Sequence, residues 1–222
     1  MEIHAYSEDQ VLSLAKNAYE NGIAGFEILS GRCALLVIDM QNEFVKPGWT
    51  PYWVPEATQQ VGAIKVLIEH CRLKAVPIIF TAFGPTNNFL DRPKTGGLMP
   101  NRFPEIGTGH NEWFTNPRIW HKLEVKEEDV LIFKPSYGAF YDTPLQTILN
   151  SLEKDTVIIC GTLTNYCCGT TARQAYERGF KVVFGSDVTS TDDPTMQEPE
   201  LKVLRKGFAK VLTLKEIIEQ LK

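Results

Sequence analysis

Among the five cysteines of this 222-residue chain, Cys167 occupies a position suited to nucleophilic chemistry. The apolar run Thr156–Cys160 ends at Gly161, which permits a tight turn, and a helical pattern begins near Asn165. Cys167 is thereby expected in the first helical turn, where unpaired N–H groups and the helix dipole stabilise a thiolate. The same N–H groups suit the oxyanion of a tetrahedral intermediate. Two more ionisable residues close apolar runs: Asp39 follows Ala34–Ile38, and Lys134 follows Val130–Phe133. A carboxylate, an ammonium and a thiol, each just past a strand, form a set fit for acyl transfer.

Helical phase separates Cys167 from its neighbour. Ala172, Ala175, Tyr176 and Gly179 stand four, seven, eight and eleven residues after Cys168, so Cys168 continues a buried stripe. Cys167 shares its face with Thr171, Gln174 and Arg178, a polar face expected to open toward a crevice. Cys33, Cys71, Cys160 and Cys168 read as small buried hydrophobes. With no CxxC pair and with His4, His70, His110 and His121 scattered, neither a structural zinc site nor any cofactor is expected.

The elements that must position these groups follow from the apolar pattern. Ala34–Ile38, Val76–Phe80, Val130–Phe133, Thr156–Cys160, Lys181–Phe184 and Ala209–Leu212 are short and non-alternating, as strands buried on both faces of a parallel sheet are. Helical spacing fills the gaps: Glu56–Lys74, Pro144–Leu152, Asn165–Gly179, Pro194–Gly207 and Leu214–Leu221. Alternation of this kind predicts an α/β class, a Rossmann-like three-layer α/β/α domain spanning residues 1–222. Residues 8–20 form an amphipathic helix within an N-terminal helical extension, residues 1–30, read as a packing or oligomer element. Residues 83–125 are rich in Pro, Gly, Asn and aromatics and lack periodicity, as a lid or binding loop would be.

A net charge of −4 gives no basic footprint for nucleic acid, and no apolar run reaches the roughly 18 residues of a membrane span. The N-terminus lacks the basic and apolar regions of a signal peptide, so a cytoplasmic location is expected.

At these residues the chain resembles the isochorismatase-like cysteine hydrolases, a superfamily that includes nicotinamidases and N-carbamoylsarcosine, ureidoacrylate and biuret amidohydrolases. The resemblance rests on Ala34–Phe44 (ALLVIDMQNEF), Lys134–Phe140 (KPSYGAF) with Thr143, and Gly161–Arg173 (GTLTNYCCGTTAR). It implies the strand order 3-2-1-4-5-6, an Asp39–Lys134–Cys167 triad and a cis peptide between Thr162 and Leu163. It also implies that the N–H groups of Leu163 and Cys167 form the oxyanion hole. The expected activity is hydrolysis of a C–N bond in a small linear amide or carbamoyl/ureido compound through a thioester. Homo-oligomers, dimers or tetramers, are common in such families. A non-catalytic or thiol-redox protein using Cys167 and Cys168 is the alternative.

Departures from the family pattern narrow the expectation. True isochorismatases lack the nucleophilic cysteine. Nicotinamidases carry an Asp-x-His metal motif after the second strand, where this chain has Thr81-Ala-Phe-Gly-Pro-Thr-Asn87. Phe44, Trp49, Phe83 and Tyr137 are candidate substrate-pocket walls, with ordinary loop packing as the competing reading. Arg92, Arg102 and Arg118 are candidates for binding a substrate carboxylate, against simple solvation. Arg173 is expected to fix its helix or a subunit contact.

Overall fold

The computed structural model describes residues 5–21, 24–84, 114 and 116–222. Six strands run in parallel: β1 (Cys33–Ile38), β2 (Ile78–Phe83), β3 (Val130–Lys134), β4 (Thr156–Thr162), β5 (Lys181–Ser190) and β6 (Lys210–Leu212). Their order is β3-β2-β1-β4-β5-β6, the expected 3-2-1-4-5-6. The order reverses direction between β1 and β4, which opens a crevice at their carboxyl ends.

Alternate residues of each central strand feed two separate cores. Leu35 and Val37 of β1 pack with Val61, Ile64, Leu67 and Ile68 of α3 (Pro55–Leu73). Ala34, Leu36 and Ile38 face the other way, toward α4 (Leu145–Ser151), α5 (Gly169–Glu177) and α6 (Gln197–Gly207). Every residue of β1 and β4 is buried, the signature of a sheet covered on both faces. Pro at the first position of α3 presets its backbone, and a Thr213–Glu216 capping box starts α7 (Leu214–Gln220), beside α3.

Some boundaries differ from the periodicity. Among the described residues, the α-helix of the N-terminal extension is α1 (Glu8–Asn21), which lies against α6 with Lys206 4.0 Å above the Tyr19 ring. Ile28 is already buried and bridges Leu221 in parallel pairing. A short α2 (Asn42–Val45) follows β1, and α labels run in chain order from α1 to α7. β5 continues six residues beyond its apolar run, with its register to β4 shifted between Ile159 and Gly161. Among the described residues no helix is long and apolar enough to cross a membrane.

Candidate active site

Asp39 follows β1 with φ of +49°, a left-handed conformation uncommon for a non-glycine residue. Its backbone N–H donates to the carbonyl and to the hydroxyl of Thr81 (3.1 and 3.2 Å), and the Thr81 hydroxyl donates to Asp39 Oδ1 (2.7 Å). Thr81 sits beside Asp39 because β1 and β2 pair Ile38 with Thr81. Lys134, the last residue of β3, brings Nζ to 2.7 Å from Asp39 Oδ2, and both side chains are fully buried. Oδ2 is thereby held in a fully buried ion pair. Lys134 Nζ donates to the Ser136 carbonyl (2.8 Å).

Cys167 faces this pair and interacts with both charges. Burial pulls Lys134 toward neutrality, but Asp39 and then Cys167 outweigh it and hold the ammonium above its ordinary value. For the Cys167 thiol, burial is the largest influence and Asp39 adds to it, while Lys134 opposes both. The outcome is a pKa pushed up to about 12.

This result revises the expected helix-stabilised thiolate. Thr164–Cys168 is a π-helical turn in which Cys168 N–H reaches back five residues to the Leu163 carbonyl (3.0 Å). The α-helix proper begins only at Gly169, beyond the thiol. Buried in this wide turn, the Cys167 thiol is held in its neutral form beside the Asp39–Lys134 pair. Cys168 is fully buried in the core on the α5 side, and its thiol is also raised, first by burial. The remaining cysteines are free and buried, as their reading as small hydrophobes requires.

Gly161 makes the juxtaposition possible. Its φ is +119°, and a Cβ there would stand 2.1 Å from the Ile38 carbonyl oxygen. Only glycine lets the end of β4 lie against the residue preceding Asp39. The peptide bond between Thr162 and Leu163 is cis.

The polar face of α5 does not open toward the crevice. Its groups hold the segment after Lys134: Ala139 N–H donates to Thr171 Oγ1 (2.9 Å), and Phe140 N–H donates to Gln174 Oε1 (3.1 Å). Arg178 lies 5.1 Å from the Phe140 ring centre, and Thr171 also donates to the Cys167 carbonyl (2.6 Å). Arg173 makes a two-point pair with Glu200 of α6 (2.5 and 3.1 Å), so it fixes its own helix. Gly169 leaves room for this pair, since a Cβ would meet Glu200 Oε1 at 2.3 Å.

Of the four candidate wall residues, Phe44 and Phe83 converge. Phe114 brings them together, with ring centres 5.6 Å from Phe44 and 5.0 Å from Phe83, and Tyr52 joins at 5.5 Å. Trp49 is 43% exposed with Lys46 5.0 Å from its ring centre, while Tyr137 pairs with Tyr166 at 5.4 Å. Arg118 is exposed; Arg92, Arg102 and His110 lie outside the described residues.

Sequence patterns did not single out Thr81, Gln41 or Phe114. Gln41 is fully buried and ties the ends of β1 and β2 together. Its Oε1 accepts from Phe83 N–H (2.6 Å), and its Nε2 donates to the Phe83 carbonyl (3.1 Å) and to Glu43 Oε2 (2.8 Å). The Gln in DMQ carried the available signal, as a polar residue directly after a buried strand.

The chain matches the family model described as Isochorismatase domain over residues 33–216. It is 34% identical over 182 residues to Nicotinamidase 3 of Arabidopsis thaliana, covering 79% of this chain and 82% of that protein. It is 24% identical over 192 residues to the ureidoacrylate amidohydrolase RutB of Methylorubrum extorquens, covering 78% and 76%. The crystal structure of a cysteine hydrolase from Pseudomonas syringae pv. phaseolicola superimposes with a TM-score of 0.77 at 28% identity, covering 89% of this chain and 96% of that one. On the matched span, the strand order and these likenesses together, the chain belongs to the isochorismatase domain family of hydrolases.

Proposed function

We propose that this protein is a cysteine amidohydrolase that cleaves a C–N bond of a small amide or carbamoyl/ureido compound through a thioester. The observation that carries the reading is the fully buried Asp39–Lys134 pair with the Cys167 thiol against it. An uncompensated buried carboxylate would be costly, and an ion pair held in this place fits a chemical purpose better than a stabilising one.

The high thiol pKa sets the order of events. At neutral pH the sulfur carries its proton, so attack on the carbonyl carbon is coupled to proton transfer to Asp39. The S–H electron pair becomes the S–C bond. Lys134 stays charged and stabilises the developing negative charge beside it. The N–H groups of Leu163 and Cys167 hold the oxyanion. Asp39 returns its proton to the departing ammonia or amine, leaving the thioester. Water, deprotonated by Asp39, then releases the acid or carbamate and restores the thiol. No cofactor enters these steps.

Phe44 and Phe83 are proposed to wall the substrate site, with Phe114 supporting both. Trp49 and Tyr137 belong to its outer rim. A second reading, hydrolysis of an aromatic primary amide, draws support from the 34% likeness to a nicotinamidase. The thiol-redox alternative fits less well, because both vicinal thiols are held protonated by burial.

Ammonia release from nicotinamide, N-carbamoylglycine, ureidoacrylate and biuret tests these readings together. Turnover of at least one compound is expected, with a thioester mass adduct on Cys167. Cys167→Ala and Asp39→Asn should each lower kcat by roughly 1,000-fold or more with the fold intact. Full ammonia release by Cys167→Ala would overturn the nucleophile assignment.

A further inference from the structure

The geometry points to Thr81 as a positioning residue that selects Asp39 Oδ2 as the proton-accepting atom. This inference rests on the reading of Asp39 as the base. A carboxylate presents two equivalent oxygens, and a base that can rotate offers the thiol either one or neither. Here the Thr81 hydroxyl spends its only proton on Oδ1 (2.7 Å), and its oxygen accepts from the Asp39 N–H (3.2 Å). The side chain and the backbone of Asp39 are thus locked to one hydroxyl. Oδ2 is left to the ion pair with Lys134, and it is the oxygen the Thr81 hydroxyl does not engage.

Thr81 is fully buried in β2, so no bulk water can take the hydroxyl's place freely. In the proton-transfer step the S–H bond of Cys167 breaks and an Oδ2–H bond forms. Thr81 keeps its own proton throughout. The ionisable groups facing Asp39, among the described residues, are Lys134 from β3 and Cys167 and Cys168 from the π-helical turn. None of these sits on β2, where Thr81 is the hydrogen-bonding contribution.

Removing the Thr81 hydroxyl frees Asp39 Oδ1 from its only hydrogen bond to β2. Thr81→Val preserves shape and strand propensity but lacks the donor. For ammonia release from the panel compound turned over fastest, kcat should fall about 10- to 100-fold with KM little changed, because the lost geometry matters only to proton transfer. Thr81→Ser should restore the wild-type kcat.

A readout independent of turnover is the rate of Cys167 alkylation by iodoacetamide at fixed pH, followed by peptide mass spectrometry. The rate should fall in Thr81→Val and not in Thr81→Ser. If Asp39→Asn alters the alkylation rate but a folded Thr81→Val does not, the role of Thr81 is refuted and Asp39 remains the base. If Asp39→Asn leaves that rate unchanged, the base assignment itself fails. A Thr81→Ser rate matching Thr81→Val would also overturn the proposal, since the hydroxyl would then be irrelevant.

Discussion

The two sides of the candidate active site are built on different terms. On the β1–β2 side the polar groups are cross-linked: Thr81 grips Asp39, and Gln41 uses its oxygen and its amide protons on Phe83 and Glu43. On the β4–β5 side, the hydroxyls of Thr164 and Ser190 are buried and lack a hydrogen-bond partner among the described residues. Buried polar groups are normally satisfied, because desolvation without compensation costs free energy. The side that carries Asp39 has its polar groups saturated by hydrogen bonds or by the Lys134 ion pair, whereas the side that carries Cys167 keeps unpartnered hydroxyls at Thr164 and Ser190. On the proposed mechanism, a base must be aimed, whereas a turn that receives substrate gains from polar groups not already committed.

Gly161 joins the two sides and offers the strongest way to break the contrast. Gly161→Ala forces a Cβ against the Ile38 backbone at φ +119° and should cost about 3 kcal/mol or more. Urea unfolding measures this directly. A cost under about 1 kcal/mol would mean that the two strand ends separate easily and that the saturated side does not depend on the other.

A smaller effect concerns Glu43, the buried carboxyl that anchors Gln41. Burial is the main influence on it and raises its pKa above the ordinary 4.5, against the hydrogen bond from Gln41. A raised carboxyl favours folding in its neutral form. Its contribution is full below pH 4.5 and is lost as pH rises through the folded value. The stability of the wild type relative to Glu43→Gln should therefore decline between pH 4 and 7, by roughly 1 kcal/mol. Parallel stability curves for the two proteins would show that Glu43 is as well solvated folded as unfolded.

The smallest expected effect sharpens the comparison most. Ser190→Ala deletes a hydroxyl that makes no hydrogen bond among the described residues, so stability should change by no more than about 0.5 kcal/mol. A loss near 2 kcal/mol by the same denaturation assay would mean that the β4–β5 side is as tightly bonded as the other.

Much of this arrangement was legible before any coordinates. Short continuous apolar runs such as Ala34–Ile38, alternating with helical patterns, suit strands covered on both faces, so the sheet followed from them. The positions of Asp39 and Lys134 past those runs followed too. The π-helical turn did not, because helical phasing assumes 3.6 residues per turn and cannot register one extra residue at Thr164–Cys168. Nor did the use of Gln174 and Thr171, whose polar face reads as opening toward a crevice until the 139–140 backbone is seen to occupy it. Thr81 looked like one more strand residue. Its role appears only once the pairing of β1 with β2 is known.

The hydrogen bonds at residues 40–42 carry a wider consequence. Asn42 N–H donates to the Arg118 carbonyl, Trp120 N–H donates to the Met40 carbonyl, and Gln41 pairs antiparallel with Ile119. Gln41 also holds Phe83. The chain that departs after Phe83 and returns at Arg118 is therefore fastened at its first end by Gln41 and at its second by residues 40–42, beside Asp39. Because closing a longer connection costs only slowly more entropy, its length and sequence can change without shifting those anchors. Such a layout is modular: the frame that carries Asp39 does not depend on the length of the connection it fastens.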